Sequence, residues 1–214
     1  MKKHIYCISG LGADEKIFTN LHISGYELRY IPWIRPHKKE SMHGYAKRMG
    51  EYIKEKSAVL LGVSFGGMMG IEIAKQVPLQ KLIIVSSIKS AGEMPRWMKA
   101  AGKLKLHKLL PTRLHKYTEK IDNARLGVST KEEKEMVRAY RKNADLVFVD
   151  WAIHQILNWK NDWQPHNIIH IHGDRDKIFP VKKINPTCII EDGTHMMIYN
   201  RAREISELIG SELK

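Results

Sequence analysis

The chain has 214 residues, of which 43% are hydrophobic, and its 36 lysines and arginines outweigh 23 acidic residues to give a formal net charge of +13. That length fits one domain with a substantial core, and that apolar share excludes a disordered chain. The two cysteines, Cys7 and Cys188, each sit in an apolar run, which fits free thiols in a reducing compartment better than a disulfide.

The opening "MKKHIYCISGLG" has two lysines, but its apolar run is too short for a signal-peptide core. No stretch approaches the length of a membrane span, so the expectation is a cytoplasmic protein with no stable membrane association. Within that opening, "HIYCISG" is β-branched-rich and ends in glycine, which predicts a buried strand. "DEKIFTNL" predicts a short helix with Asp14 near its start, and "YELRYIPW" a second strand stopped by Pro32. Ser41 can cap a helix running to about Lys56, and "SAVLLGVS" predicts the third strand. "FGGMMGIEIAKQV" is helical up to Pro78, and "KLIIVSS" predicts the fourth strand.

From about Ala91 to Lys160 the pattern changes. Helical spacings recur (Met98, Ala101, Leu104; Trp151, Ile153, Ile156, Leu157) without a convincing strand. "NIIHIHG" and "TCIIED" then predict two more strands, and "MMIYNRAREISELIGSEL" a last helix. Apolar strands alternating with helices imply an α/β fold, a three-layer, doubly wound, mostly parallel six-stranded sheet covered on both faces. Residues 1–90 and 161–214 would form the core, with 91–160 a helical cap inserted after the fourth strand, over the carboxyl edge where ligands bind in such sheets.

Much of the positive charge falls in the insertion, at Arg96, Lys99, Lys103, Lys105, Lys108, Arg113, Lys116 and Lys120. Such a run can meet nucleic acid, anionic lipid or an acidic substrate. No nucleic-acid motif accompanies it, so a solvated helical face with no nucleic-acid partner is the expectation.

Gly62-Val63-Ser64-Phe65-Gly66 fits G-x-S-x-G at the junction of the third strand and the following helix. A sharp turn there needs small residues and lifts the serine oxygen above the sheet, near the positive end of the helix. Glycine-serine turns are common, and the strand-turn-helix context is what separates this one from a merely structural serine. With this motif in place, the chain resembles the α/β-hydrolase family over nearly its whole length. "SGLG" after the first strand stands where that family usually has His-Gly-x-Gly. "HGDRDKIFP" resembles its G-x-x-D acid loop, and "GTH" its histidine loop. Two features depart from the family: the two leading strands of larger members are absent, and Ser9 stands where many members have histidine.

The resemblance implies a serine hydrolase needing no cofactor or metal, acting on a small-molecule ester or thioester. A serine hydroxyl needs a base to take its proton, and histidine suits that task near neutral pH. His195 follows the last strand on a glycine-containing loop, at the edge where Ser64 should emerge. The order Ser64, Asp176, His195 matches the Ser-acid-His order of the fold. Counted from Gly173, the family's G-x-x-D spacing selects Asp176 over Asp174, which is expected instead to accept loop amides and brace the turn. The backbone N–H groups of Leu11 and Phe65 would hold the oxyanion.

The sequence admits two other readings. "HIHGDRD" places His170 and His172 on one strand face and superficially resembles the H-x-H-x-D-H pattern of a metal hydrolase. Arg175 stands where that pattern needs histidine, and no second ligand cluster follows, so His170 reads as a packed strand residue. A non-catalytic member of the fold that binds a small ligand is the remaining alternative.

Overall fold

The structure, a computed structural model, describes residues 3–104 and 119–214. Six strands, β1 (Lys3–Ile8), β2 (Tyr26–Tyr30), β3 (Ala58–Val63), β4 (Leu79–Val85), β5 (Ile168–Gly173) and β6 (Cys188–Ile190), form one sheet in the order β2-β1-β3-β4-β5-β6. Every pairing is parallel. Side chains alternate across it with period two. Ile8, Leu60 and Ile84 enter one core cluster, whereas Cys7, Leu61, Ile83 and Val85 enter another on the opposite face. Both faces are thus buried, which is why these strands read as unbroken apolar runs.

Helices α1 (Met42–Gly50) and α2 (Phe65–Ala74) cover the first face. Ser41 caps α1 as expected, its Oγ accepting the Gly44 N–H at 3.1 Å. The helix nevertheless ends at Gly50 rather than near Lys56. There the chain turns so that Ile53 reaches the core, and the Lys54 N–H donates to the Tyr6 hydroxyl at 3.3 Å. "DEKIFTNL" forms only one 3-10 turn, Glu15–Phe18, capped by the Asp14 carboxylate.

Between β4 and β5 the described residues hold four helices and no strand: α3 (Arg96–Lys103), α4 (Glu119–Leu126), α5 (Lys131–Asn143) and α6 (Leu146–Leu157). Hydrogen bonds pinch the two ends of this insertion together. The Ala91 N–H donates to the Asn161 carbonyl at 2.6 Å, and the Asn161 side-chain amide donates to the Lys89 carbonyl at 2.8 Å. Its helices then divide between the two faces of the sheet. Phe148 and Ala152 of α6 join the cluster over α1 and α2, whereas Val137 of α5 joins the opposite one. Arg96, Lys99, Lys103 and Lys120 are solvent-exposed, while Lys105, Lys108, Arg113 and Lys116 lie outside the described residues.

After β6 the expected single helix is two, α7 (Met197–Asn200) and α8 (Ala202–Glu212), broken at Arg201, whose φ is −119° and ψ 24°. The break lets α7 serve the insertion. Tyr199 Oη donates to Glu132 Oε1 at 2.6 Å, and the Asn200 amide donates to Glu133 Oε1 at 2.8 Å. Ile205 and Ile209 of α8 meanwhile stay buried on the sheet. No helix among the described residues is long and apolar enough to cross a membrane. Both cysteines are free thiols.

One polar bond ties the end of the insertion to the core. Glu72 of α2 is buried, and its Oε1 accepts the Trp159 indole N–H at 2.9 Å and the Lys75 ammonium at 2.7 Å. Trp159→Phe keeps most of the packing and removes that donor from a buried carboxylate. It should lower unfolding free energy by about 2 kcal/mol in urea titration, and an unchanged midpoint would show that the bond contributes nothing.

Candidate active site

The tight turn between β3 and α2 depends on missing side chains. A Cβ on Gly62 would run into the Gly66 carbonyl, and one on Gly66 would run into the carbonyls of Ile8 and Ser9. Between them Ser64 adopts φ 78° and ψ −110°, a conformation that L-residues rarely take. The strain is held by four bonds. The Ser64 N–H donates to the Val85 carbonyl at 3.0 Å, and the Ser64 carbonyl accepts from Ser87 Oγ at 2.7 Å and from the Gly67 and Met68 amides at 3.1 and 3.2 Å.

The serine hydroxyl meets His195, with Oγ and Nε2 2.9 Å apart. His195 Nδ1 in turn lies 2.7 Å from Asp176 Oδ2. Burial of Asp176 would raise its pKa, but the His195 charge and hydrogen bond, His172 and the Phe179 amide hold it below the usual carboxylate range. An ionised carboxylate only accepts. Nδ1 therefore carries the proton, and Nε2 is left to accept from the Ser64 hydroxyl. The three residues singled out in the sequence form one directed hydrogen-bonded chain.

Two loops in contact align the acid with the histidine. Gly173 lies so close to Gly193 that a Cβ there would overlap the Gly193 carbonyl, and that carbonyl accepts the Arg175 N–H at 3.0 Å. Asp176 Oδ1 accepts the Ile178 and Phe179 amides at 2.8 and 2.9 Å, which orients Oδ2 toward His195. These bonds correct the expectation for Asp174. Its carboxylate is exposed and makes no hydrogen bond among the described residues, so Asp176 braces the turn as well as facing the imidazole. The insertion supports the histidine loop from outside: the Met196 N–H donates to the Leu126 carbonyl at 3.1 Å, and Gly127 packs against Thr194.

Phe65 opens α2, so its amide has no acceptor within the helix. Leu11 follows Gly10, where a Cβ would stand 3.4 Å from Ser64 Cβ. Among the described residues neither amide has an acceptor. Sequence reasoning did not anticipate the aromatic group beside them. Trp33 stacks on Phe65 with ring centroids 5.1 Å apart and meets Phe148 of the insertion at 5.0 Å. "YIPW" carried no signal for this beyond the end of a strand.

His170 and His172 are fully buried, as packed strand residues should be, with rings 5.2 Å apart. His172 Nε2–H donates to the Phe179 carbonyl at 2.8 Å and lies 3.6 Å from Asp176 Oδ2, so this ring supports the acid loop from below. No group of three His, Cys, Asp or Glu side chains among the described residues is placed to hold a metal ion.

No protein-family model matches the sequence, and no curated protein matches it. Solved structures do match over the whole chain. MenH from S. aureus aligns at a TM-score of 0.75 with 16% identity, covering 100% of this chain and 94% of that one. A bromoperoxidase from Bacillus anthracis aligns at 0.71 with 13% identity, covering 100% and 92%. A lipase-esterase related protein from Clostridium acetobutylicum aligns at 0.68 with 17% identity, covering 98% and 94%. This chain has the α/β-hydrolase fold. Its sheet has six strands, all parallel, as the sequence led one to expect. The different names of these three structures illustrate that an α/β-hydrolase fold does not by itself fix the chemistry.

Burying two imidazoles beneath the acid loop of this α/β-hydrolase fold has a consequence for acid stability. Burial, the adjacent His172 and Lys89 push the His170 pKa down to about 3. An unfolded His170 would protonate near pH 6.5, so between pH 6.5 and 3 the unfolded chain binds the extra proton and stability falls as pH falls. His170→Leu should remove about 1 kcal/mol of the stability lost between pH 7.5 and 5.5, as read from urea midpoints at the two pH values. Equal losses in variant and wild type would show that His170 does not titrate in that way.

Proposed function

We propose that the protein is a serine hydrolase that cleaves a carboxylic ester or thioester through an acyl-Ser64 intermediate. The observation that carries this reading is the unbroken chain from Ser64 Oγ through His195 to Asp176, with spacings of 2.9 and 2.7 Å. In the first half-reaction Ser64 Oγ attacks the carbonyl carbon while its proton passes to His195 Nε2. Asp176 stays ionised and stabilises the imidazolium through Nδ1–H. The carbonyl oxygen becomes an oxyanion, held by the N–H groups of Phe65 and Leu11. Collapse of the tetrahedral species breaks the bond to the leaving alcohol or thiol, which takes the proton from His195. Water then attacks the acyl-serine with His195 as base, and the proton returns to Ser64 as the carboxylic acid leaves. No cofactor enters either step.

We read 91–160 as a cap on a core of 1–90 and 161–214, and the pinch between Ala91 and Asn161 supports that division. Contacts of Phe148 and Trp151 with Phe65, at centroid distances of 6.4 and 6.2 Å, support a cap placed beside the nucleophile. A cytoplasmic location is part of the same proposal.

A fluorophosphonate probe should modify wild-type protein at Ser64, and Ser64→Ala should abolish both labelling and ester turnover. Labelling that survives in the alanine variant would place the nucleophile elsewhere. Asp176→Asn should lower kcat by roughly a thousand-fold or more, because the neutral amide no longer stabilises the imidazolium. Asp174→Asn, at an exposed and unbonded carboxylate, should keep kcat within about two-fold and stability within about 0.5 kcal/mol. The opposite pattern would move the acid to Asp174.

A further inference from the structure

The oxyanion amides of the proposed mechanism come from separate chain segments, and one side chain bonds the peptide that carries the first and stacks on the ring of the residue that carries the second. Trp33 Nε1–H donates to Ser9 Oγ at 3.0 Å and to the Gly10 carbonyl at 3.2 Å. Gly10 C=O and Leu11 N–H belong to the same peptide, which is trans, so the two groups point in opposite directions. The Ala13 N–H also donates to the Gly10 carbonyl, at 3.2 Å. Two donors thus fix the carbonyl at one edge of the peptide and leave the Leu11 amide at the opposite edge. The same indole ring stacks on Phe65, with centroids 5.1 Å apart and an interplanar angle of 19°.

Ser9 completes the brace. It is fully buried, and its hydroxyl donates to the Ala13 carbonyl at 2.7 Å. With that proton committed, the Tyr30 hydroxyl 3.2 Å away must donate to it, as Trp33 does. Burial pushes the Tyr30 pKa up to about 12, so this donor stays protonated across the working range. The Ser9 oxygen therefore has its hydrogen and both lone pairs engaged, and serves as an anchor for the indole rather than as a reacting group.

We propose that Trp33 is a positioning residue that sets both oxyanion amides together, the Leu11 amide through the Gly10 carbonyl and the Phe65 amide through ring stacking. This rests on the serine-hydrolase reading. It predicts a defect confined to states in which negative charge sits on the carbonyl oxygen.

Two variants separate the indole N–H from the ring. Trp33→Phe keeps an aromatic ring over Phe65, and replacement of Trp33 by 3-benzothienylalanine keeps the full bicycle while exchanging N–H for sulfur. Each should lower kcat for a p-nitrophenyl ester about 10- to 100-fold with KM within about two-fold, and leave the melting temperature of the benzothienyl variant near that of wild type. Affinity for an alkyl trifluoromethyl ketone, whose adduct carries the oxyanion, should fall by the same factor as kcat/KM. If the benzothienyl variant keeps wild-type kcat and ketone affinity while Ser64→Ala is inactive, the role assigned to Trp33 is wrong and the hydrolase reading stands. If wild type neither reacts with the fluorophosphonate nor turns over esters, the hydrolase reading and this role fall together.

Discussion

Ser64 is held at φ 78°, in a region of conformational space that costs an ordinary side chain about 1–3 kcal/mol, and the elements around it are arranged to maintain that turn. A strand entering and a helix leaving can meet this sharply only if nothing projects from Gly62 or Gly66. With both positions bare, α2 packs against the β1 end of the sheet closely enough for Gly66 to lie against the Ile8 and Ser9 carbonyls. The same closeness puts Gly10 beside Ser64. Backbone compression at one turn therefore aligns Ser64 and the loop after the first strand in a single step.

The polar chain from Ser64 to Asp176 obeys a different constraint. A charged carboxylate with 3% of its surface exposed is tolerable only when its oxygens are engaged. Asp176 meets that condition with two amides on Oδ1 and the imidazole on Oδ2. His172 adds a neutral ring beneath, its own N–H spent on the Phe179 carbonyl. The acid is rigid because every partner belongs to its own loop or to a neighbouring one. Geometry of that kind fixes which nitrogen of His195 faces the serine.

Much of this could be read from the sequence, for reasons that differ element by element. The strands were legible because a sheet covered on both faces leaves unbroken apolar runs, as in "HIYCI" and "AVLLGV". The elbow was legible because its glycines answer a steric demand that no other residue satisfies. Long-range packing was not. The end of α1 at Gly50 and the break at Arg201 depend on Tyr6 and on Glu132 and Glu133, far away in the chain, and no local propensity encodes them. The bracing role expected of Asp174 falls to Asp176 for the same reason. The sequence assigns the bracing of the turn to Asp174, whereas the amides of Ile178 and Phe179 converge on Asp176. Trp33 gave no signal because its partners Gly10, Phe65 and Phe148 come from three separate segments.

The pinch between Ala91 and Asn161 has an evolutionary side. Two chain ends held at 2.6 Å present the sheet with what amounts to a closed loop, whatever lies between them. Because closure entropy grows only slowly with loop length, such a segment can lengthen, shorten or be exchanged at small thermodynamic cost to the strands beside it. Its freedom is not uniform, however. Leu126 and Glu133 are bonded to Met196 and Asn200 next to the histidine loop, so the stretch around α4 and α5 is tethered to the surroundings of His195. Innovation in this chain is thus coupled at two places: α4 and α5 must change in step with the residues around His195, and α6 with Trp33, Phe65 and Glu72, which its end of the insertion packs against or bonds.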